Sequence, residues 1–231
     1  MDDCEIDQCV CFAQFFEWGS DYDTNEYLYD AIKNKDEFVG FGVIDFNNKD
    51  FAGQINKMKN YGFKGIKLHP AVQHFRIDSP ETFKVYEEAE KLDMFLSFHT
   101  GVHGGRLVNE SLLLFDEAAH HFPNLKFSLE HVGGYCFFNE ALAVIMNNPG
   151  RVFAGLTSIY EYGMWYLDDK KMFDLLSIAG AEKCIFGLDF PWNNSEKTKK
   201  AIEYIKQLNI DETSKEKILG GNLRRVLNLK G

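Results

Sequence analysis

The sequence predicts an α/β protein of the (β/α)8 barrel type, the TIM barrel, with one unit partly missing. Three observations carry that prediction. Seven short apolar runs, rich in β-branched and aromatic residues, alternate with longer amphipathic stretches. The runs are apolar on both parities, as strands are when both faces of a parallel sheet are covered. Seven strand–helix units in 231 residues also match a barrel that needs about 250 residues for eight. An open doubly wound sheet is the competing architecture, but no glycine-rich dinucleotide fingerprint follows the first strand. No linker, repeat or shift in composition interrupts the pattern, so residues 1–231 read as a single domain.

The strand candidates are residues 9–14, 38–45, 65–69, 94–100, 126–131, 152–157 and 184–189. Helix candidates include 80–92, 109–121, 138–147, 168–179 and 195–208, followed by 211–219 and 222–229. The helix at 80 has a start signal: Ser79 can cap it and Pro80 occupies its first position. Phe83, Tyr86 and Ala89 then share one face. The 21 Phe residues are read as core, since Phe buries more area than most side chains.

The net charge of -10 argues against nucleic acid as a partner. The lysines at 197, 199 and 200 read as a solvated helix face. Five Cys with no CxxC spacing suggest neither a disulfide framework nor a structural zinc site. Cys9 and Cys11 read as small inward-facing strand residues, and a reducing cytoplasm fits the set. Met1-Asp2-Asp3 is acidic where a signal peptide would be basic. No apolar run is long enough to span a membrane.

The candidate chemistry lies at the strand ends. Four runs close as Lys67-Leu68-His69-Pro70, Phe98-His99-Thr100-Gly101, Glu130-His131-Val132-Gly133-Gly134 and Gly187-Leu188-Asp189-Phe190-Pro191. In a parallel barrel the C-terminal strand ends share one face, and that face carries the active site. Strand alternation places Ser97 and Phe95 with His99, Leu129 and Phe127 with His131, and Gly187 and Ile185 with Asp189. A single His at a strand end is more often structural; two His and an Asp at three ends point to a site. Imidazole and carboxylate suit Zn2+ or a similar divalent ion with a position open for water. His120 and His121 fit a helix C-terminus. His74 and His103 fall in loops outside the candidate set. Arg76 and Arg106, also in loops, could clamp a substrate carboxylate.

These motifs, together with Gly65-Ile66 at the start of the 65–69 strand, Phe122-Pro123-Asn124-Leu125-Lys126 running into the 126–131 strand and Gly220-Gly221-Asn222-Leu223 near the end, resemble the amidohydrolase-related family. This is the second amidohydrolase family, which includes aminocarboxymuconate-semialdehyde decarboxylase and related nonoxidative decarboxylases. The resemblance covers nearly the whole chain. It implies that His99 and Asp189 are metal ligands, that Asp189 also shuttles a proton, and that His131 contacts substrate beside the metal. His69, Lys67 and Trp192 would line the pocket. The implied cofactor is Zn2+, with Mn2+ as the substitute.

One feature departs from the family pattern. Relatives begin with a strand carrying His-x-His, which supplies two further ligands, whereas no His precedes His69 here. Either the chain begins at an internal Met, or the protein lacks the strand natively. In the second case metal binding would be weak or absent, and open strand edges would invite pairing. The expectation is a cytoplasmic metal-dependent hydrolase acting on a small molecule through a metal-activated water, as a monomer or a homodimer. The alternatives are a nonoxidative decarboxylase on the same site, or a degenerate, non-catalytic barrel.

Overall fold

The structure is a computed structural model and describes residues 1–229. The chain divides into two compact units. The first comprises Met1–His99 and His103–Phe127, and the second comprises Thr100–Val102 and Ser128 onward.

The first unit alternates strands and helices: β1 (Cys9–Phe12), α1 (Thr24–Ile32), β2 (Phe38–Val43), α2 (Phe51–Asn60), β3 (Gly65–Leu68), the short α3 (Pro70–Gln73), α4 (Pro80–Lys91), β4 (Phe95–His99) and α5 (Leu113–His121). The strands lie parallel in chain order, with Cys11 opposite Gly40, Gly42 opposite Ile66 and Lys67 opposite Ser97. Gly65 is required where it stands: a Cβ there would collide with the Phe95 carbonyl oxygen of the neighbouring strand.

Local chemistry sets the helix starts. Asp23 accepts hydrogen bonds from the Asn25 and Glu26 N–H groups, Asp50 from Gly53 and Ser79 from Thr82. Pro80 sits at the first helical position, as the sequence predicts. Tyr86 and Ala89 are fully buried and Val85 joins them, whereas Phe83 is half-buried. Between helices and sheet lies an aromatic core, in which Phe98 meets Phe115, Phe127 and Tyr86 edge-on at centroid distances of 4.9, 5.5 and 5.7 Å. Phe98 therefore faces the helices, and Phe95, Ser97 and His99 face the other way.

Three side-chain amides fasten the chain at and just beyond the end of β2. Asn25, from α1, donates to the Val43 carbonyl at 3.0 Å and accepts from the Val43 N–H at 2.8 Å. Gln73 donates to the Ile44 carbonyl, and Gln54 accepts from the Asp45 N–H. Backbone groups that have left the sheet ladder thus find partners without water.

The second unit holds β5 (Phe127–Glu130, past its first residue), α6 (Gly134–Asn147), β6 (Val152–Thr157), α7 (Asp169–Ile178), β7 (Cys184–Gly187), α8 (Ser195–Gln207), α9 (Glu212–Glu216) and α10 (Asn222–Val226). Its strands run in the order β5-β6-β7. Buried Asn222 donates to the carbonyls of Ala181 and Cys184 at 2.8 Å each, which gives the Gly-Gly-Asn motif a structural task. A π-helical turn at Lys217–Gly221 separates α9 from α10, so the predicted helix at 211–219 is shorter than expected.

The 152–157 strand has its predicted bounds, but the others stop one or two residues early at their C-terminal ends. His69 caps α3, His131 (φ 63°) and Val132 (φ 49°) open a tight turn, and Asp189 (φ 57°) lies beyond β7 in left-handed backbone. Strand alternation therefore does not extend to His131 or Asp189. Phe127 packs on Phe115 of α5, so Ser128 and Glu130 take the face that the sequence reading gave to Phe127, Leu129 and His131. Cys9 and Cys11 are also corrected: Lys67 Nζ sits 5.2 Å over the Phe12 ring, which puts Phe12 on the face of Lys67 and both cysteines on the opposite one.

Candidate active site

In the first unit, β3 and β4 deliver His69 and His99, and the following loop adds His103. The ring-nitrogen donors of these three residues lie within 4.8 Å of one another. The His69 and His99 rings are stacked, with centroids 3.8 Å apart and planes 8° from parallel, and His103 meets both edge-on at 4.6 and 4.8 Å. His69 is buried, His99 half-buried and His103 exposed. Its register opposite Ser97 puts Lys67 on the sheet face of His99, and the residue is 8% exposed.

Packing fixes His69. Its backbone N–H donates to Gln73 Oε1 at 2.7 Å, its Nδ1 accepts the Val72 N–H at 3.4 Å, and Phe15 meets its ring edge-on. Arg76 is engaged elsewhere: it pairs with Asp78 and donates to the Val108 carbonyl, which argues against the substrate clamp suggested by its position in the sequence. Arg106 is exposed.

The donor set fits a divalent ion. Two imidazole nitrogens on one Zn2+, at about 2.1 Å each, are at most roughly 4.2 Å apart. The cluster is close to that spacing, and His103, on an exposed loop, can close the difference by side-chain rotation.

In the second unit, His131 is buried and held on two sides. Its Nδ1 lies 2.7 Å from the Thr157 carbonyl, and its ring stacks on Trp165 at 4.5 Å. A carbonyl only accepts, so Nδ1 carries the proton in this contact. Asp189 Oδ2 accepts from the Ser158 hydroxyl at 3.0 Å, and Asn193 donates to that same hydroxyl oxygen at 2.8 Å. Thr157 and Ser158 are consecutive, so the end of β6 anchors both His131 and Asp189. Trp192 is 72% exposed.

Beneath this level Glu130 is buried, accepting from Ser128 Oγ at 2.5 Å and Thr157 Oγ1 at 2.7 Å. Thr100 ties the adjoining turn by donating to the Glu130 carbonyl and accepting the Gly133 N–H. Glu130, Ser158, Trp165 and Asn193 all escaped the sequence reading. Glu130 alone carried a signal, as the residue just before His131.

The amidohydrolase family model matches residues 18–229. The chain belongs to the amidohydrolase family. It is 25% identical over 259 aligned positions to 2-amino-3-carboxymuconate-6-semialdehyde decarboxylase of Dictyostelium discoideum, covering 95% of this chain and 70% of that one. Among solved structures, an uncharacterized TIM-barrel protein from Bordetella bronchiseptica superposes with a TM-score of 0.84 at 20% identity, covering 99% of this chain and 80% of that one. A dihydroxybenzoic acid decarboxylase from Polaromonas, solved with bound manganese, gives 0.68 at 16% identity, covering 89% and 74%. The fold class of this family member is therefore the TIM type that its sequence predicts. Among its described residues no helix is long and apolar enough to cross a membrane.

Proposed function

We propose that this chain is a divalent-metal-dependent enzyme that decarboxylates a small carboxylated molecule without an oxidant. The His69, His99 and His103 cluster carries the reading, because three imidazole nitrogens within 4.8 Å are a ready donor set. The family and the decarboxylase relatives support the choice of reaction.

His99 is the central metal ligand in this proposal, and Asp189 is a ligand and proton carrier, as the family resemblance implies. Zn2+ is the first candidate and Mn2+ the second. When bound, the ion would supply Lewis acidity and lower the pKa of a coordinated water. His69 lines the substrate pocket beside the ion, with Lys67 as a cation for the substrate carboxylate and Trp192 as an apolar contact. As the carbon–carbon bond breaks, carbon dioxide leaves and the electron pair stays on the substrate carbon. That carbon takes a proton from Asp189. His131, with its proton on Nδ1, offers Nε2 to substrate.

The family match favours a second reading, hydrolysis of a small molecule, and a product assay separates the two. The chain is loaded with Zn2+ or Mn2+, and its metal content is measured by mass spectrometry. About one ion per chain is expected, lost in His99→Ala. Carbon dioxide release from small aromatic carboxylates identifies decarboxylation, and a new carboxylic acid without carbon dioxide identifies hydrolysis. A folded chain that takes up no metal overturns both readings and leaves a non-catalytic barrel. The reading also places the protein in a reducing cytoplasm, as a monomer or homodimer, with no nucleic-acid partner.

A further inference from the structure

We infer that Cys9, Cys11 and Met1 form a binding site for a soft monovalent cation, Cu(I), on the face of β1 opposite Phe12. Cys9 and Cys11 are two positions apart in the strand, so both side chains leave the same face. Their sulfurs are 3.9 Å apart, and the thioether sulfur of Met1 lies 3.7 Å from that of Cys9. Metal–sulfur bonds run about 2.3 Å, which puts two sulfurs on one tetrahedral or trigonal ion roughly 3.8–4.0 Å apart. The Cys9–Cys11 pair stands at that spacing and the Cys9–Met1 pair close to it. Both cysteines are half-buried free thiols, so an ion can reach them from solvent.

The donor type selects the ion. Two thiolates with a thioether form a soft set, which hard oxygen-seeking ions such as Mg2+ and Mn2+ avoid and Cu(I) favours. The imidazole cluster at His69, His99 and His103 has the harder donors, so the two sites would sort different metals. A disulfide is the poorer use of the pair. Cα atoms two residues apart on an extended strand are separated by about 6.6–6.8 Å, at the upper limit for a bridge.

Both thiols give up their protons as the ion binds. Two Cu–S(thiolate) bonds form, two protons go to solvent and nothing is oxidised or reduced.

The test is anaerobic titration of the reduced full chain with Cu(I) against a competing chelator such as bicinchoninate. One tight equivalent is expected, with thiolate-to-copper charge-transfer absorption in the near ultraviolet. Loss of a supporting residue around a metal site costs 10–100-fold, so removing a ligand through Cys9→Ser or Cys11→Ser should cost roughly a hundredfold or more. Cys136→Ser and His99→Ala should keep the site. Alkylation mapping on the unmodified chain supplies a readout that no variant can confound: Cu(I) should shield Cys9 and Cys11 from iodoacetamide and leave exposed Cys136 reactive. Unchanged Cu(I) uptake in the double Ser variant, no shielding of the pair, or displacement of Cu(I) by equimolar Zn2+ overturns the assignment.

Discussion

The hydroxyl of Ser158 donates to Asp189 Oδ2 at 3.0 Å from a residue whose own backbone is left-handed, with φ 55°. Asp189 is left-handed too, at φ 57°, so its carboxylate is aimed by this contact rather than by strand geometry. A hydrogen bond to a charged group contributes about 1.5–3 kcal/mol. Ser158→Gly removes that bond and at the same time relieves the positive φ, which costs a non-Gly residue roughly 1–2 kcal/mol. The two effects offset in part, so the variant should lose at most about 2 kcal/mol in urea titrations. Its kcat should fall about 10–100-fold, with KM little changed. A fall in stability with unchanged kcat would make Ser158 purely structural.

Asn25 substitutes for a neighbouring strand at Val43. Its amide satisfies both the N–H and the carbonyl of that residue in a buried setting. Asn25→Leu should lose about 1–3 kcal/mol for each backbone group left without a partner. Asn25→Asp keeps the acceptor for the Val43 N–H but turns an oxygen toward the Val43 carbonyl, so it should not rescue the loss. Equilibrium unfolding in urea reads both.

Much of this construction was legible in the sequence, and the exceptions have physical causes. The strand at 152–157 was placed correctly because an apolar run and its flanking turn agree there. The ends at His69, His131 and Asp189 were overextended because each residue leaves the ladder to cap a helix or enter left-handed backbone, and neither event alters hydrophobic periodicity. His99 stood out because it ends a strand. His103 did not, because a loop has no period that would bring it back toward His69. Ser158 and Asn193 were invisible for the same reason: they are small polar residues in loops, and only the fold brings Ser158 to the Asp189 carboxylate and Asn193 to the Ser158 hydroxyl.

Asp23 provides a pH signature in the first unit. Burial opposes its ionisation, but the Lys57 ammonium and the N–H groups of Glu26 and Asn25 outweigh this and hold its pKa below the ordinary carboxylate value. A depressed folded-state pKa stabilises the fold above the unfolded value, about 3.9, and that stability is lost as pH falls through the folded value. Asp23→Asn keeps a capping side chain but gives up the charge. The Asp23 and Lys57 side chains are 37% and 47% exposed, so after solvent screening the variant should lose under about 1 kcal/mol at neutral pH. The difference from the parent should shrink to nothing in acid. A difference that persists below the folded pKa would mean that Asp23 acts through shape alone.

Gly155 and Thr157, both on β6, bear on one buried carboxylate. A Cβ on Gly155 would run into Glu130 Oε2, and Thr157 Oγ1 donates to that same oxygen at 2.7 Å. Gly155→Ala should cost about 1–3 kcal/mol by pushing the carboxylate out of place. Thr157→Val should cost about 1.5–3 kcal/mol by removing a donor to it. Both changes act through Glu130, and a carboxylate already displaced has little left to lose from the missing hydroxyl. The double variant should therefore unfold with a smaller penalty than the sum of the singles, by more than the roughly 0.5 kcal/mol within which independent sites add. Strict additivity in urea unfolding would show that Glu130 does not couple the two positions.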